Sequence, residues 1–306
     1  MSASLKRIVG IVAVVVVAVG TVRVGLAVVS RGSGCRPGTD PAPKGAPPFP
    51  QGPTQRQGIW VIDADGANET AVAAERHAGE APLAAIAWSP DGSQVAMVDT
   101  ASYALTVSPI DGGGRRTLVP SAGQPAWSPD GRQIAFVGNG IEAINIDGTG
   151  RRPVAVSPTS RGRLFDPAWS PDGTRIAYVT DLDTIEVIDV DGTNRRTITS
   201  QRSFRLSHPA WSPDGTRLVF AAHGGYYGSW LGIIRTDGTG LRKIAGHCSA
   251  ADPTWSPDDS TIAYDDQYGL NTIDADGHHR RRVSNSWYGH APAWSPDGQR
   301  LLFLRY

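Results

Sequence analysis

The string Trp-Ser-Pro-Asp occurs six times, at Trp88, Trp127, Trp169, Trp211, Trp255 and Trp294, at spacings of 39, 42, 42, 44 and 39 residues. A period near 40 residues in a chain of strand-like composition, punctuated by Pro and Gly, marks propeller blades; helical repeats of similar period lack those breaks. Six of the nine Trp residues fall in this motif, so tryptophan usage follows the repeat.

The third copy shows the grammar of a blade. "PAWSP" from Pro167 reads as a short first strand, and residues 170–173 form a tight turn in which Pro171 presets φ and Gly173 takes a positive φ. "RIAYVT" is an apolar second strand, buried on both faces between neighbouring blades. "TIEVIDV" is the third strand, "DGTN" turns it, and "RRTITS" is an outer fourth strand with charge on its free edge. Two departures stand out: Asp259 replaces the turn glycine in copy five, and Ile86 replaces the proline before the first Trp.

The chain ends decide whether the array closes. After Trp294 only two strands remain, "PAWSP" and "QRLLFLRY", whereas "GIWVIDADG" and "ETAVAAE" before the first repeat supply a third and a fourth. Residues 58–75 and 292–306 therefore make one blade, which removes the exposed edges of an open array. The expected fold is all-β: a six-bladed propeller over residues 58–306, closed by pairing of its N- and C-terminal strands.

Blades of the form "PAWSPDGxxIAF…IxxxDxDG", seen at Pro125, Pro167, Pro209 and Pro292, resemble the WD40-like repeats of the TolB family. The resemblance covers about residues 58–306 and implies the fold; the function is argued from the site. TolB proteins place an α/β domain ahead of the propeller and work in the Tol-Pal system of the outer envelope, but here a Pro-rich stretch holds that place. Similar propellers precede the hydrolase domain of prolyl-oligopeptidase-like enzymes, yet no GxSxG elbow occurs in this sequence.

Lys6 and Arg7 precede an apolar run over residues 8–22, and a second follows Arg23 over residues 24–29. This is the pattern of an export signal, long enough to serve also as a hydrophobic membrane helix. Residues 1–34 are read as a signal peptide or membrane anchor and 35–57 as a Pro/Gly-rich linker that cannot bury a core. Extracytoplasmic localisation follows, either anchored or secreted. Cys35 in "GSGC" is a weak match to a lipidation site. With Lys plus Arg and Asp plus Glu both at 29, nucleic acid is not an expected partner. Two cysteines make neither a disulfide scaffold nor a thiolate zinc site.

In a four-stranded blade the 1–2 and 3–4 turns share one face, and the 2–3 and inter-blade connections share the other. The first face carries only tight turns. The second carries the long segments "SPTSRGRLFD", "QRSFRLSH", "HGGYYGSW", "GHCSAAD" and "SNSWYGH". Arg163, Phe165, Arg205, Tyr226, Tyr227, Trp230, Trp287 and Tyr288 make this face the candidate recognition surface, since aromatic rings and Arg supply contact area and directional bonds.

Three residues before each Trp, the sequence reads Ala85, Gln124, Asp166, His208, Asp252 and Ala291. Gln124, Asp166, His208 and Asp252, with His290 beside the last position, form the candidate ligand-binding mouth of the central channel. Two carboxylates around an imidazole match a donor set for a divalent cation or a cationic partner group; a hydrogen-bonded ring meeting water is the simpler reading. No metal, cofactor or catalytic residue is assigned.

Asp-x-Asp-Gly strings at Asp63, Asp189 and Asp274 read as β-turns rather than calcium loops. Arg pairs beginning at Arg115, Arg151, Arg195 and Arg280 read as edge charges, and Cys248 beside His247 lacks an orienting third group. The expected protein is a monomeric, non-catalytic binding module for a protein, peptide or envelope polymer. The alternative is an envelope enzyme acting on a polysaccharide or peptide through Asp166, His208 and Asp252.

Overall fold

The computed structural model describes residues 58–71, 83–99, 101–110, 113–159, 162–181, 183–201, 203–224, 228–247, 250–266, 269–284 and 289–305. Their strands, β1 to β24 in chain order, form six four-stranded antiparallel sheets. Blade three consists of β11 (Leu164–Trp169), β12 (Arg175–Thr180), β13 (Thr184–Asp189) and β14 (Arg196–Ser200), paired in that order. The apolar run predicted for its second strand is buried as expected: Ile176, Ala177 and Tyr178 have no exposed surface. The core lies between blades. Ala177 and Val179 of blade three pack with Trp211, Leu218 and Phe220 of blade four.

The predicted closure is present. β1 (Gly58–Asp63) lies antiparallel to β24 (Arg300–Arg305) in six residue pairs, from Gly58 with Arg305 to Asp63 with Arg300. With β2 (Thr70–Ala71) outside and β23 (Gly289–Trp294) inside, the final sheet runs β2-β1-β24-β23. Two strands from each end of the chain complete the ring and satisfy what would otherwise be two open edges.

The repeat residues have local jobs. Ser170 donates its hydroxyl to Asp172 at 2.5 Å and accepts the Arg175 amide at 2.9 Å, while Asp172 accepts the Thr174 amide at 3.0 Å. Gly173, at φ 70°, turns the chain. Ser89–Asp91, Ser128–Asp130, Ser212–Asp214, Ser256–Asp258 and Ser295–Asp297 repeat the Ser–Asp bond. Asp259, in place of the glycine, adopts φ 64° itself. Between blades, the Trp127 and Trp211 indoles donate to the Ala87 and Ala168 carbonyls, each at 3.0 Å.

The Asp-x-Asp-Gly strings are turns: Asp65 accepts the Ala67 amide and Asp276 the His278 amide. The Arg pairs do more than blunt an edge. Arg151 crosses its sheet to bond Glu142 at 2.6 Å and stack over Phe136 at 5.4 Å, and Arg195 treats Glu186 and Tyr178 alike. The second Arg reaches the next blade: Arg152 donates to the Val190 carbonyl at 2.6 Å, and Arg281 crosses the closure seam to the Asp65 carbonyl at 2.5 Å.

One expectation is corrected. The first strand of blade three begins at Leu164, not at Pro167, and blade four likewise has β15 (Arg205–Trp211), β16 (Arg217–Gly224) and β17 (Gly228–Arg235) running into its supposed loops. Pairing shifts register between Phe165 and Ala168 and between Ser207 and Ala210, then resumes outward, with Leu164 opposite Thr180 and Arg205 opposite His223. The cause is a bulge whose residue sits in the left-handed region, at φ 51° for Asp166 and 48° for His208. The following Pro167 or Pro209 has no amide hydrogen to withdraw from the ladder, so the interruption is inexpensive.

Candidate functional site

The bulge aims the site. Gln124 in β7 (Gly123–Trp127), Asp166, His208, Asp252 in β19 (Ala251–Trp255) and Ala291 all have positive φ, between 40° and 53°. Successive blades thus present equivalent residues around one cavity of about 250 Å³, lined by these five together with Ala85, Ile86, Leu304 and the prolines that follow the bulges.

At three of the bulges the backbone amide faces sideways and the preceding blade's ring side chain accepts it. Gln124 Oε1 accepts from Asp166 at 3.1 Å, Asp166 Oδ2 from His208 at 2.9 Å, and Asp252 Oδ2 from Ala291 at 3.2 Å. Gln124 Nε2 also donates to Asp166 Oδ1. His208 departs from the pattern, its ring facing the neighbouring carboxylates. Its Nδ1 instead meets Asp252 Oδ1 at 2.8 Å, while Nε2 lies 3.6 Å from Asp166 Oδ1. The result is a chain of polar contacts running through blades two to six. Gln124, Asp166, His208 and Asp252, singled out in the sequence, are brought together.

Burial among the ring residues opposes a charge on His208, but the carboxylates of Asp166 and Asp252, with Asp265 behind them, outweigh it and raise its pKa to about 10. The imidazolium is not sealed off: its side chain is 45% exposed to the channel. A neighbouring histidine behaves oppositely. His223, between the hydroxyls of Ser207 and Ser229 at 2.9 Å each, has its pKa lowered, first by burial and then by the charge of His208.

His223 and Asp265 were not singled out in the sequence. Asp265 lies in β20 (Thr261–Asp266), where other blades carry Val137, Val179 and Ala221, so the signal was a carboxylate in an otherwise apolar inner strand.

The loop-face candidates divide. Arg163 and Arg205 are exposed at the rim. Phe165 is half-buried and packs on the core between blades three and four. Trp230 is not a surface ring. It lies in β17, is 9% exposed, and meets Phe204 and Phe220 edge to face at 5.5 and 5.8 Å. Gly232 makes room, since a Cβ there would stand 2.7 Å from Trp230. His290 lies in β23 opposite Leu304. Tyr226, Tyr227, Trp287, Tyr288 and Cys248 fall outside the described residues, as do the apolar run and the linker. Among the described residues no helix is long and apolar enough to cross a membrane, and no group of three His, Cys, Asp or Glu has the arrangement of a metal site.

Six blades closed by mixed termini, with a polar ring at one channel mouth, define a six-bladed β-propeller of the WD40-like kind. The profile of the TolB beta propeller domain matches residues 141–305. The chain belongs to the TolB β-propeller family. Among solved structures, it is similar to a putative TolB from Agrobacterium tumefaciens (TM-score 0.68, 20% identity, covering 83% of this chain and 99% of that one). It is also similar to a chain of a nidogen/laminin complex (TM-score 0.60, 15% identity, 81% and 99%) and to an oligogalacturonate lyase in complex with manganese (TM-score 0.56, 14% identity, 80% and 81%). At these identities the likeness concerns the fold. No curated protein matches the sequence.

Proposed function

We propose that this protein is an exported, membrane-tethered or secreted binding module, acting as a monomer, whose channel mouth and long-loop rim take a protein, peptide or envelope polymer without chemical turnover. The observation carrying this reading is the ring itself. Its carboxylates are committed to backbone amides and to His208, and His208 is an imidazolium at neutral pH. Such a group is no general base and has no free lone pair for a metal. A fixed ring with one net negative charge, open to the channel and rimmed by Arg163 and Arg205, suits recognition better than reaction. The nidogen chain, seen in complex with laminin, shows a similar fold in a protein–protein assembly. Export and tethering rest on the N-terminal cations and apolar run, and on the Pro-rich segment after them.

The lyase seen with manganese keeps a second reading in view, an envelope enzyme centred on Asp166, His208 and Asp252. Photoreactive residues at positions 163 and 205 in intact cells should give discrete adducts, and positions 172 and 214 on the opposite face should not. Labelling at positions 172 and 214 equal to that at 163 and 205, or none from the rim, overturns the binding reading. Manganese-dependent turnover of an oligosaccharide or peptide that is lost in Asp252→Ala would establish the enzyme instead.

A further inference from the structure

A cavity of about 610 Å³ lies on the other face, between blades five and six, lined by Ser256, Asp258, Thr261, Asp274, Trp294 and Asp297 among others. The repeat explains why it is open. In blade three the first residue of the second strand is Arg175, which stacks over Trp211 of blade four at 4.8 Å; in blade four it is Arg217, which stacks over Trp255 of blade five at 4.7 Å. Blade five has Thr261 at that position. Its short side chain cannot cover Trp294, so where two junctions hold a guanidinium on an indole, this one holds a cleft. Trp294 is also not tied down as Trp127 and Trp211 are: its Nε1 is buried and has no partner among the described residues. Trp88, Trp169 and Trp255 share that lack, so what sets Trp294 apart is the Thr261 that leaves it uncovered, where Arg217 covers Trp255.

The charge of the lining suits the missing group. Asp258 and Asp297 sit in the turns on either side, and Asp274, opposite Thr261 in β21 (Gly269–Asp274), pairs with His279 at 2.7 Å. Against these three carboxylates stand Arg281, which is turned to the Asp65 carbonyl, and His279. A planar cation stacks on an indole and bonds a carboxylate along its edge, a combination that guanidinium meets better than ammonium.

We infer that this cleft is a second recognition site that takes an arginine side chain of a partner peptide, seated on Trp294 as Arg175 and Arg217 are seated on Trp211 and Trp255. The site is independent of the channel mouth.

The test is calorimetric titration of the full-length protein with acetyl-Gly-Arg-Gly-amide and with its citrulline counterpart, which keeps the shape and loses the charge. Saturable binding of the arginine peptide, weaker by about tenfold or more for citrulline, is expected. Thr261→Arg copies the residue of blades three and four, so it should stay folded, fill the cleft and abolish binding; Trp294→Phe should weaken binding. Absence of heat at millimolar peptide, equal affinity for citrulline, or unchanged binding in folded Thr261→Arg overturns the proposal. Binding that appears only after residues 1–57 are removed would identify the chain's own N-terminal segment as the occupant and overturn the assignment to a partner.

Discussion

Replacing Trp230 separates a core residue from a recognition residue, the two roles open to an aromatic ring in the segment "HGGYYGSW". The indole is buried in blade four against Phe204 and Phe220, within a cluster that also holds Val179, Ile185 and Leu206. Trp230→Ala leaves a void that strands cannot close by local collapse, and such truncations cost about 3–5 kcal/mol. For a domain of this size each kcal/mol moves Tm by about 2–4 °C, so thermal unfolding followed by circular dichroism should shift down by roughly 6–20 °C. Gly232→Ala approaches the same packing from the opposite side: the added Cβ would sit 2.7 Å from Trp230 and 2.8 Å from Phe220. Overpacking of this kind costs about 1–3 kcal/mol. A Trp230→Ala protein with the parent Tm and weakened ligand capture would refute the core assignment and return Trp230 to the recognition surface.

Removing the staple that Arg152 extends to the Val190 carbonyl should lower denaturant stability by about 0.5–1.5 kcal/mol in Arg152→Ala, with the m-value unchanged; no loss in urea titration would show the contact to be idle. The turn carboxylates give an acid limb. Hydrogen bonds from Ser89 and Ser93 hold Asp91 at about 2, and Asp172 and Asp214 are likewise held at about 2 by serine and threonine donors that outweigh burial. Groups depressed in the folded state stabilise it above their ordinary value of 3.8, and that share disappears as pH falls through about 2. Urea midpoints measured between about pH 4 and pH 2 should therefore fall less steeply in Asp91→Asn than in the parent; parallel slopes would contradict the cause given.

The fold was legible because the information is repeated. Six copies of one turn, each needing Ser to donate, Asp to accept and Gly or Asp259 to take a positive φ, announce six blades, and unmatched strands at the two ends announce the closure. The ring was legible only by counting back from each Trp. The bulge that aims it was hidden, because a left-handed residue followed by proline ends the visible strand pattern although pairing continues beyond it to Leu164 or Arg205. Trp230 was misread because β16 and β17 pair without a break out to Gly224 and Gly228, so strand β17 extends into what looks like a loop. The roles of Arg151 and Arg152 were out of reach, since one bonds within its sheet and the other to a blade 38 residues away. Thr261 carried a signal that only the stacked Arg175 and Arg217 make readable.

Convergence of three blades on one imidazole is most directly tested by NMR titration of the histidines, with the resonance of His208 assigned through His208→Gln. A raised folded pKa means that the stabilising share is complete below the ordinary 6.5 and is lost only as pH climbs toward about 10. The expected result is one histidine still protonated well above neutrality, its pKa falling toward 6.5 in Asp252→Asn. A His208 that titrates near 6.5 in the parent protein would mean that Asp166 and Asp252 do not flank it, and the mouth described here would not exist.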